Sequence, residues 1–522
     1  MTAAYIHLAQ RASGDRRRIV CRALAVLAAP IVLGVGACAD SNIPFYTEPT
    51  GVANTPGGLQ NAMTGLFAAS RIEVGTYMYW MSQFARDQGN IQFDNPQNIQ
   101  FGTGLTPIPN GGTGVWDNLY RAVGTALAVI AAVPNISPAY TSQQQAALIG
   151  VAQTIEALDF MMLAETRDTL GIPVHTAANG SAGPVYCAKD AWAQIVALLD
   201  SANNSLTNAG GTPIPVKLPP GFASVSATAG PASAAGSFAS FNRALAAKAG
   251  LELAYAIART GANNHPTPTS PGSPDPTALT RADSAATASA FISMSVTPPA
   301  AGGFTENGAG VYWDWSAQSG DLVNPINSQL GIWRTLVYLT GDVDTANDLR
   351  FKGKFISDTV HVQIATSAFM NSPWQFAGYP SVASPIPIIR NEGLVLIRAE
   401  IQTGLGNYAT ALGLVNTVRV SAGSCGGSCT GGMVPLTPYP TTDDTSYTRT
   451  RNDALKEQRI STVFEAGGDR NIAIRMYGLA TIADTTWSSA AAGHQVDLHT
   501  TVVPVPASEV EGRGGNYTLT CN

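Results

Sequence analysis

Wherever apolar positions along this chain form a pattern, the spacing is that of a helix. Between Val115 and Val133, Leu119, Val123, Ala126 and Ile130 fall three or four residues apart, on one helical stripe. The same reading predicts helices from Thr141 to about Glu165 (through Leu148, Ile155, Leu158 and Met162) and from Ala188 to Leu206 (Trp192, Ile195, Val196, Leu199). Another is expected from Phe241 to Ala258. In the last third, Ile388 to Leu405 turns Leu394, Ile397 and Ile401 inward, and Tyr408 to Ala422 does so with Leu412, Val415 and Val418. Gly406-Asn407 separates these two, and Ala399, Ala409, Ala411 and Gly413 let them approach closely as a hairpin. A further helix spans Arg451 to Phe464.

Helices in neighbouring pairs are the organisation of tetratricopeptide-type arrays, although no fixed period runs through the chain. Between the pairs lie breakers. Gly210 to Ser237 is rich in Gly, Pro, Ala and Ser, and His265 to Pro276 is dense in proline, so both are read as surface loops. From Thr297 to Pro385 the periodicity fades and aromatics gather, which predicts an irregular lobe with short strands. The expected class is mainly α, a tetratricopeptide-like scaffold carrying a loop-rich lobe. Its expected divisions are a signal (1–37), a tether (38–58), a helical region (59–296), the lobe (297–385) and C-terminal hairpins (386–522).

The N-terminus changes the picture most. Arg11, Arg16, Arg17, Arg18 and Arg22 precede an apolar run from Ala23 to Val35, then Gly36, Ala37 and Cys38. A basic head, a short apolar run and small residues make a secretory signal. The run falls well short of the ~20 residues that span a bilayer, and no later apolar run is expected to span one. Ending on cysteine, the segment resembles a bacterial lipobox, which implies a lipidated Cys38 as the first residue of the mature chain. Asp40 to Gly58, polar and dotted with proline, would be the leash.

The formal charge of −6 becomes more negative once the Arg-rich head is removed, and there is no basic block, so nucleic acid is not an expected partner. With 12% charged and 45% hydrophobic residues, the composition suits an exported protein with long loops around a real core. Export permits disulfides. Cys425 and Cys429, held close by Gly426-Gly427-Ser428, are expected to close a local loop, leaving Cys187 and Cys521 for a second bridge. A metal site there is the weaker alternative, because the spacing is not Cys-x-x-Cys and no second Cys/His pair lies near.

No phosphate-binding loop, His-Glu-x-x-His or Gly-x-Ser-x-Gly elbow is present, and the histidines are scattered. The acidic run Asp342 to Asp348 lacks the glycine and glutamate of a calcium loop and reads as a plain turn. Neither a cofactor nor a metal is expected. Glu392, Arg398, Glu400 and Arg419 are expected to form interhelical ion pairs, and Trp116 and Tyr120 to pack in the core.

Several fragments together resemble the SusD/RagB family of surface nutrient-binding lipoproteins. Ile388 to Glu400 is similar to its "RYAEVLLMYAE" helix, and Gly406 to Arg419 to its "GNYAEAL…LNEVR" partner. Glu457 to Ile460 with Phe464 to Arg470 and Ile474-Arg475 resembles "ERR.EL..EG.R..DLRR", and Val503 to Val510 its closing "PIP..E". Trp116 to Arg121 resembles "W..LYR". The resemblance implies a SusD-like fold and a non-catalytic lid over a SusC-like TonB-dependent transporter. Anchored by lipid to the outer membrane and facing the exterior, it would capture oligosaccharides, or peptides in some branches.

Sugars stack their C–H faces on aromatic rings while Asn, Asp and Arg take the hydroxyls. Trp313, Trp315 and Trp333 with Asp314 and Asn324 have that composition in a loop-rich setting, and Tyr79 and Trp80, in a region read as a loop, join them as candidates. If extended, the segment would put Trp313 and Trp315 on one face. Two roles stay open for these rings: lining a cleft, or packing the lobe. Two other functions stay open as well: an exported helical-repeat module that binds another protein without a small ligand, and a glycoside hydrolase.

Overall fold

The computed structural model describes residues 55–84, 88–90, 113–136, 139–167, 171–174, 183–259, 273–293, 309–316, 318, 321–327, 333–335, 344, 346–365, 368–422, 436–441, 446–465, 469–477, 487–489, 503 and 505–512. All fall in one unit, Ala53–Asn522.

The first helix, α1 (Pro56–Arg71), starts where Thr55 accepts a hydrogen bond from the Gly58 amide and proline occupies the first turn. It buries Leu59, Met63, Leu66 and Phe67 at helical spacing. The expected tether, 38–58, therefore runs past the start of ordered helix. α2 (Val74–Phe84) follows after a two-residue turn. Tyr79 and Trp80 lie on this helix and not on a loop, because Val74, Tyr77, Met78 and Met81 give it a buried face the sequence reading overlooked.

Helices α3 (Thr113–Ala132), α4 (Ser142–Arg167), α5 (Ala188–Ala209), α6 (Phe238–Arg259) and α7 (Pro276–Ala288) each pack on the one before. α4 is covered almost all round, with nearly every residue from Ala147 to Arg167 buried. Contrary to the expectation of no such run, Gly114–Ile136 and Ser142–Arg167 are long and apolar enough to cross a membrane, and 83% of the latter's apolar window is buried within the protein. α4 is a core helix.

The Gly210–Ser237 stretch is not a surface loop. Phe222, Val225 and Ala229 are fully buried, and Phe222 centres an aromatic cluster, 4.8 Å from Phe67 and 5.7 Å from Phe241 between ring centroids. Low apolar density hid this, because the segment contributes a few large side chains at irregular spacing.

In the lobe, β4 (Gly310–Trp313) pairs antiparallel with β8 (Ile386–Arg390), with Val311 opposite Ile389 and a register shift before Tyr312. Ile388 to Arg390 is thus strand, and the helix predicted from Ile388 begins three residues later as α9 (Asn391–Gly404). The isoleucines are buried on both faces of the pair, so tertiary pairing overrides helical periodicity. The second sheet is longer-stranded than expected. β6 (Phe355–Ala365) and β7 (Ala368–Phe376) form a hairpin, joined by β1 (Gln88–Asn90), β5 (Trp333–Thr335) and β9 (Trp487–Ser489) in the order β1-β5-β7-β6, with β9 also on β7. β2 (Ile172–Pro173) and β3 (Val185–Tyr186) make a separate small pair.

α9, α10 (Tyr408–Ala422) and α11 (Tyr447–Thr462) pack on one another as the predicted hairpin and its neighbour, and α9 closes back onto α6 and α7. Short helices α8 (Leu349–Lys354), α12 (Asp469–Met476) and α13 (Ala507–Gly512) complete the described elements. Arg398 pairs with Asp283 (2.8 Å) and Arg419 with Glu457 (2.7 Å), so both join separate helices as expected. Glu392 instead pairs with Arg390 (2.7 Å), at the start of its own helix, and Glu400 accepts from the Tyr477 hydroxyl (2.6 Å). Trp116 and Tyr120 pack in the core, their rings 5.0 Å apart.

A buried ion network fastens lobe to helices. Arg350, N-terminal on α8, pairs with Asp348 (2.6 Å) and Glu457 (2.6 Å), and Asp348 also caps the helix. Lys354 donates to Glu465 (2.9 Å) and to the Ser461 carbonyl (2.7 Å), and Arg390 reaches Glu392 and Glu465. Burial opposes the charge on Arg390, yet Glu392 and Glu465 hold its pKa well above the ordinary range. Burial likewise disfavours ionised Glu457, but Arg350 and Arg419 keep it below the usual carboxylate value. The acidic positions of the "ERR.EL..EG" fragment are therefore structural. Asp344 accepts from the Ala346 and Asn347 amides (3.1 and 3.0 Å), a self-contained turn.

Candidate functional site

Of the sequence-predicted residues, Trp313, Asp314, Trp315 and Asn324 come together where α1 ends, α2 begins and the chain leaves β4. Trp313, at the end of β4, is 1% exposed and meets Phe222 edge-on at 5.9 Å. Trp315, 6% exposed, lies under the Arg71 guanidinium, 5.6 Å from the ring centroid. Tyr79 and Trp80 are buried on α2. A ring enclosed in the core has no face to offer a sugar, so Trp313, Trp315, Tyr79 and Trp80 do not form the expected stacking platform; Trp313 and Trp315 floor the lobe, and Tyr79 and Trp80 pack within the core. The backbone of Trp333 lies in β5, opposite Asn90, and its ring is outside the described side chains.

The two polar candidates are also occupied. Asp314 accepts from the Gly221 amide through its carboxylate and from Arg71 through its carbonyl. Only glycine fits at 221, because a Cβ there would come within 2.2 Å of the Tyr312 carbonyl oxygen. Asn324 is fully buried and staples the turn after it. Its Oδ1 accepts from the Ile326 and Asn327 amides (both 2.9 Å), its Nδ2 donates to the Ser384 carbonyl (2.7 Å), and its own amide donates to the Val382 carbonyl (2.7 Å). Both residues shape the lobe from within.

The surface above this floor was missed by sequence reasoning. Arg71 forms an ion pair with Asp321, which is 36% exposed. Beside that pair stand Ile72 and, past Asp321, Leu322 and Val323, exposed at 42%, 40% and 44%. Val382, 37% exposed, joins them through its bond to Asn324. An apolar rim around one charged pair, standing on a rigid aromatic floor, can hold a ligand with both C–H faces and hydroxyls. The available signal was the Thr55-Pro56 cap before Leu59, Met63, Leu66 and Phe67, which would have located α1 and its final Arg71.

Other predicted positions are partly within view. Cys187, which precedes α5, is disulfide-bonded. Cys38, Cys425, Cys429 and Cys521 lie outside the described residues. Among the described residues there is no cluster of His, Cys, Asp and Glu able to hold a metal ion.

No family model matches the sequence, and no curated protein is similar enough in sequence to match it. Solved structures do resemble the fold. A structure described as bound to xylogluco-oligosaccharide superposes at a TM-score of 0.60, with 14% identity, covering 87% of this chain and 96% of the other. A SusD-like carbohydrate-binding protein from Bacteroides vulgatus gives 0.58 at 12% identity, covering 90% and 99%. A SusD superfamily protein from Bacteroides thetaiotaomicron gives 0.59 at 13%, covering 88% and 98%. At such low identity the agreement lies in the path of the backbone over nearly the whole of each chain, and on that ground the chain has a SusD-like fold.

Proposed function

We propose that this protein is a non-catalytic carbohydrate binder that presents oligosaccharides to a SusC-like TonB-dependent transporter of the outer membrane. The observation that carries the reading is the SusD-like fold over almost the full chain, shared with a structure described as bound to xylogluco-oligosaccharide. The ligand surface is the rim around Arg71 and Asp321, with Leu322 and Val323 supplying apolar contact. Cys38 supplies the anchor, on the strength of the basic head, short apolar run and small residues before it.

Titration of the purified chain against a glycan panel that includes xyloglucan oligosaccharides is expected to show saturable binding. Leu322→Ala combined with Val323→Ala should weaken it several-fold, since both side chains are exposed and the fold does not depend on them. A panel with no saturable ligand would sink the carbohydrate reading and favour a module that binds only protein. Release of reducing sugar by the purified chain would overturn the non-catalytic role. Cys38→Ser is expected to shift the protein from the membrane fraction to the soluble fraction without changing its thermal midpoint.

A further inference from the structure

A groove lies over α6, between α5 and α7 and away from the lobe. Arg243, Gly250 and Leu253 belong to its floor, spaced so that they share one helical stripe. Asp200 and Asn203 stand on the α5 wall and Arg281 on the α7 wall. Small residues keep it open. α7 presents only alanine at 278, 282 and 285, and a Cβ added at Gly250 would meet the Ala282 Cβ at 2.8 Å. The two helices therefore approach closely at this point, and the small side chains beside it leave space unfilled. The cavity measures about 390 Å³, within the roughly 300–1,000 Å³ typical of small-molecule sites.

Its polar groups are unevenly satisfied. Asp200 takes Arg243 on one carboxylate oxygen (2.7 Å) and Arg281 on the other (2.8 Å), so two guanidinium groups share one carboxylate. Arg243 is buried and spends its remaining bonds on Asn242 Oδ1 (2.8 Å) and the Leu199 carbonyl (2.7 Å). Arg281 is 61% exposed, and Asp200 is its one hydrogen-bond partner among the described residues. The side-chain oxygen of Asn203 is shielded from solvent with no donor among the described residues. The groove thus holds a surplus positive charge with unspent N–H groups, an unmet acceptor and aliphatic walls.

We propose that this groove binds a small carboxylate-bearing polyol of the hexuronate type. The carboxylate pairs with Arg281, whose planar fork suits it. A ligand hydroxyl donates to Asn203 Oδ1, and the C–H face of the ring lies on the alanine wall. A neutral sugar would leave the surplus charge unanswered, and a simple carboxylate would leave Asn203 unmet. The site is independent of the rim on the lobe.

Isothermal titration of the purified chain with D-glucuronate, with D-glucose and acetate as controls, tests the assignment. Glucuronate is expected to bind saturably and roughly tenfold or more tighter than either control. Arg281→Gln should erase that preference while leaving the thermal midpoint and any oligosaccharide binding at the lobe unchanged. Ser284→Trp, at an exposed position on the same wall, should block the groove by bulk and give the same loss. Equal affinity for glucose and glucuronate, no saturable heat at millimolar glucuronate, or full glucuronate affinity in both variants would overturn the proposal.

Discussion

Replacing Glu156 by glutamine should stabilise the protein, increasingly so as pH rises. Glu156 lies on the core helix α4, only 6% exposed, and burial pushes its carboxyl pKa from 4.5 up to about 8. In the folded protein it is neutral at pH 7, whereas in the unfolded chain it ionises with an ordinary pKa. Folding must therefore take up a proton. The group's contribution is fully favourable below pH 4.5 and is lost as pH climbs toward 8. At pH 7 the unfolded chain has gained from about two and a half pH units of ionisation that the folded chain forgoes, worth about 3 kcal/mol at roughly 1.4 kcal/mol per unit. At pH 5 the same comparison leaves about 1 kcal/mol. Glutamine keeps the shape and hydrogen-bonding capacity of neutral glutamate but has nothing to ionise. Urea unfolding of the wild type and Glu156→Gln at pH 5, 6, 7 and 8 should show a stability difference that widens steadily in favour of the variant. A difference that stays constant across that range would refute the reasoning, because only the unfolded-state ionisation makes it pH-dependent.

Arg350→Met should lower stability by about 3–5 kcal/mol in the same assay, since it leaves Asp348 buried without its cation and Glu457 with Arg419 alone. Gly75→Ala places a Cβ within 2.5 Å of Pro325 and should cost about 1–3 kcal/mol as the turn at 325 is pushed from α2, read as a lowered thermal midpoint. Asn324→Ala removes three side-chain hydrogen bonds and strands the Ile326 and Asn327 amides, with an expected loss of about 1–3 kcal/mol and faster amide exchange confined to that turn.

The helical scaffold was legible because each long helix buries one stripe or is apolar throughout. α10 was bounded correctly from Tyr408 to Ala422, where Gly406-Asn407 and the inward Leu412, Val415 and Val418 all agree. α1 and α2 fall inside the predicted helical region (59–296) but were not picked out as helices, because glycines interrupt the start and middle of α1 and the aromatics Tyr79 and Trp80 of α2 were read as a loop. Ile388 to Arg390 was misread as helix because three buried residues fit either period. The site was harder still. A tryptophan's composition and neighbours are the same whether its ring faces solvent or Phe222, so Trp313 and Trp315 were read as ligand residues when the fold covers them. Arg71 lies 250 residues before Asp321 and its neighbours Leu322 and Val323, and no motif links them; only the docking of the 321–327 turn on the end of α1 makes them a surface.

By itself, the order of residues determined that this is a mainly helical chain with an irregular insert, because periodicity and composition act over short distances along the backbone. The tertiary structure decided which of its aromatics are floor and which positions are rim. It also turned the acidic and basic residues of the C-terminal fragments into a buried lock between lobe and scaffold. Those outcomes depend on long-range packing, where the burial of a ring or a charge is set by what the rest of the chain places against it.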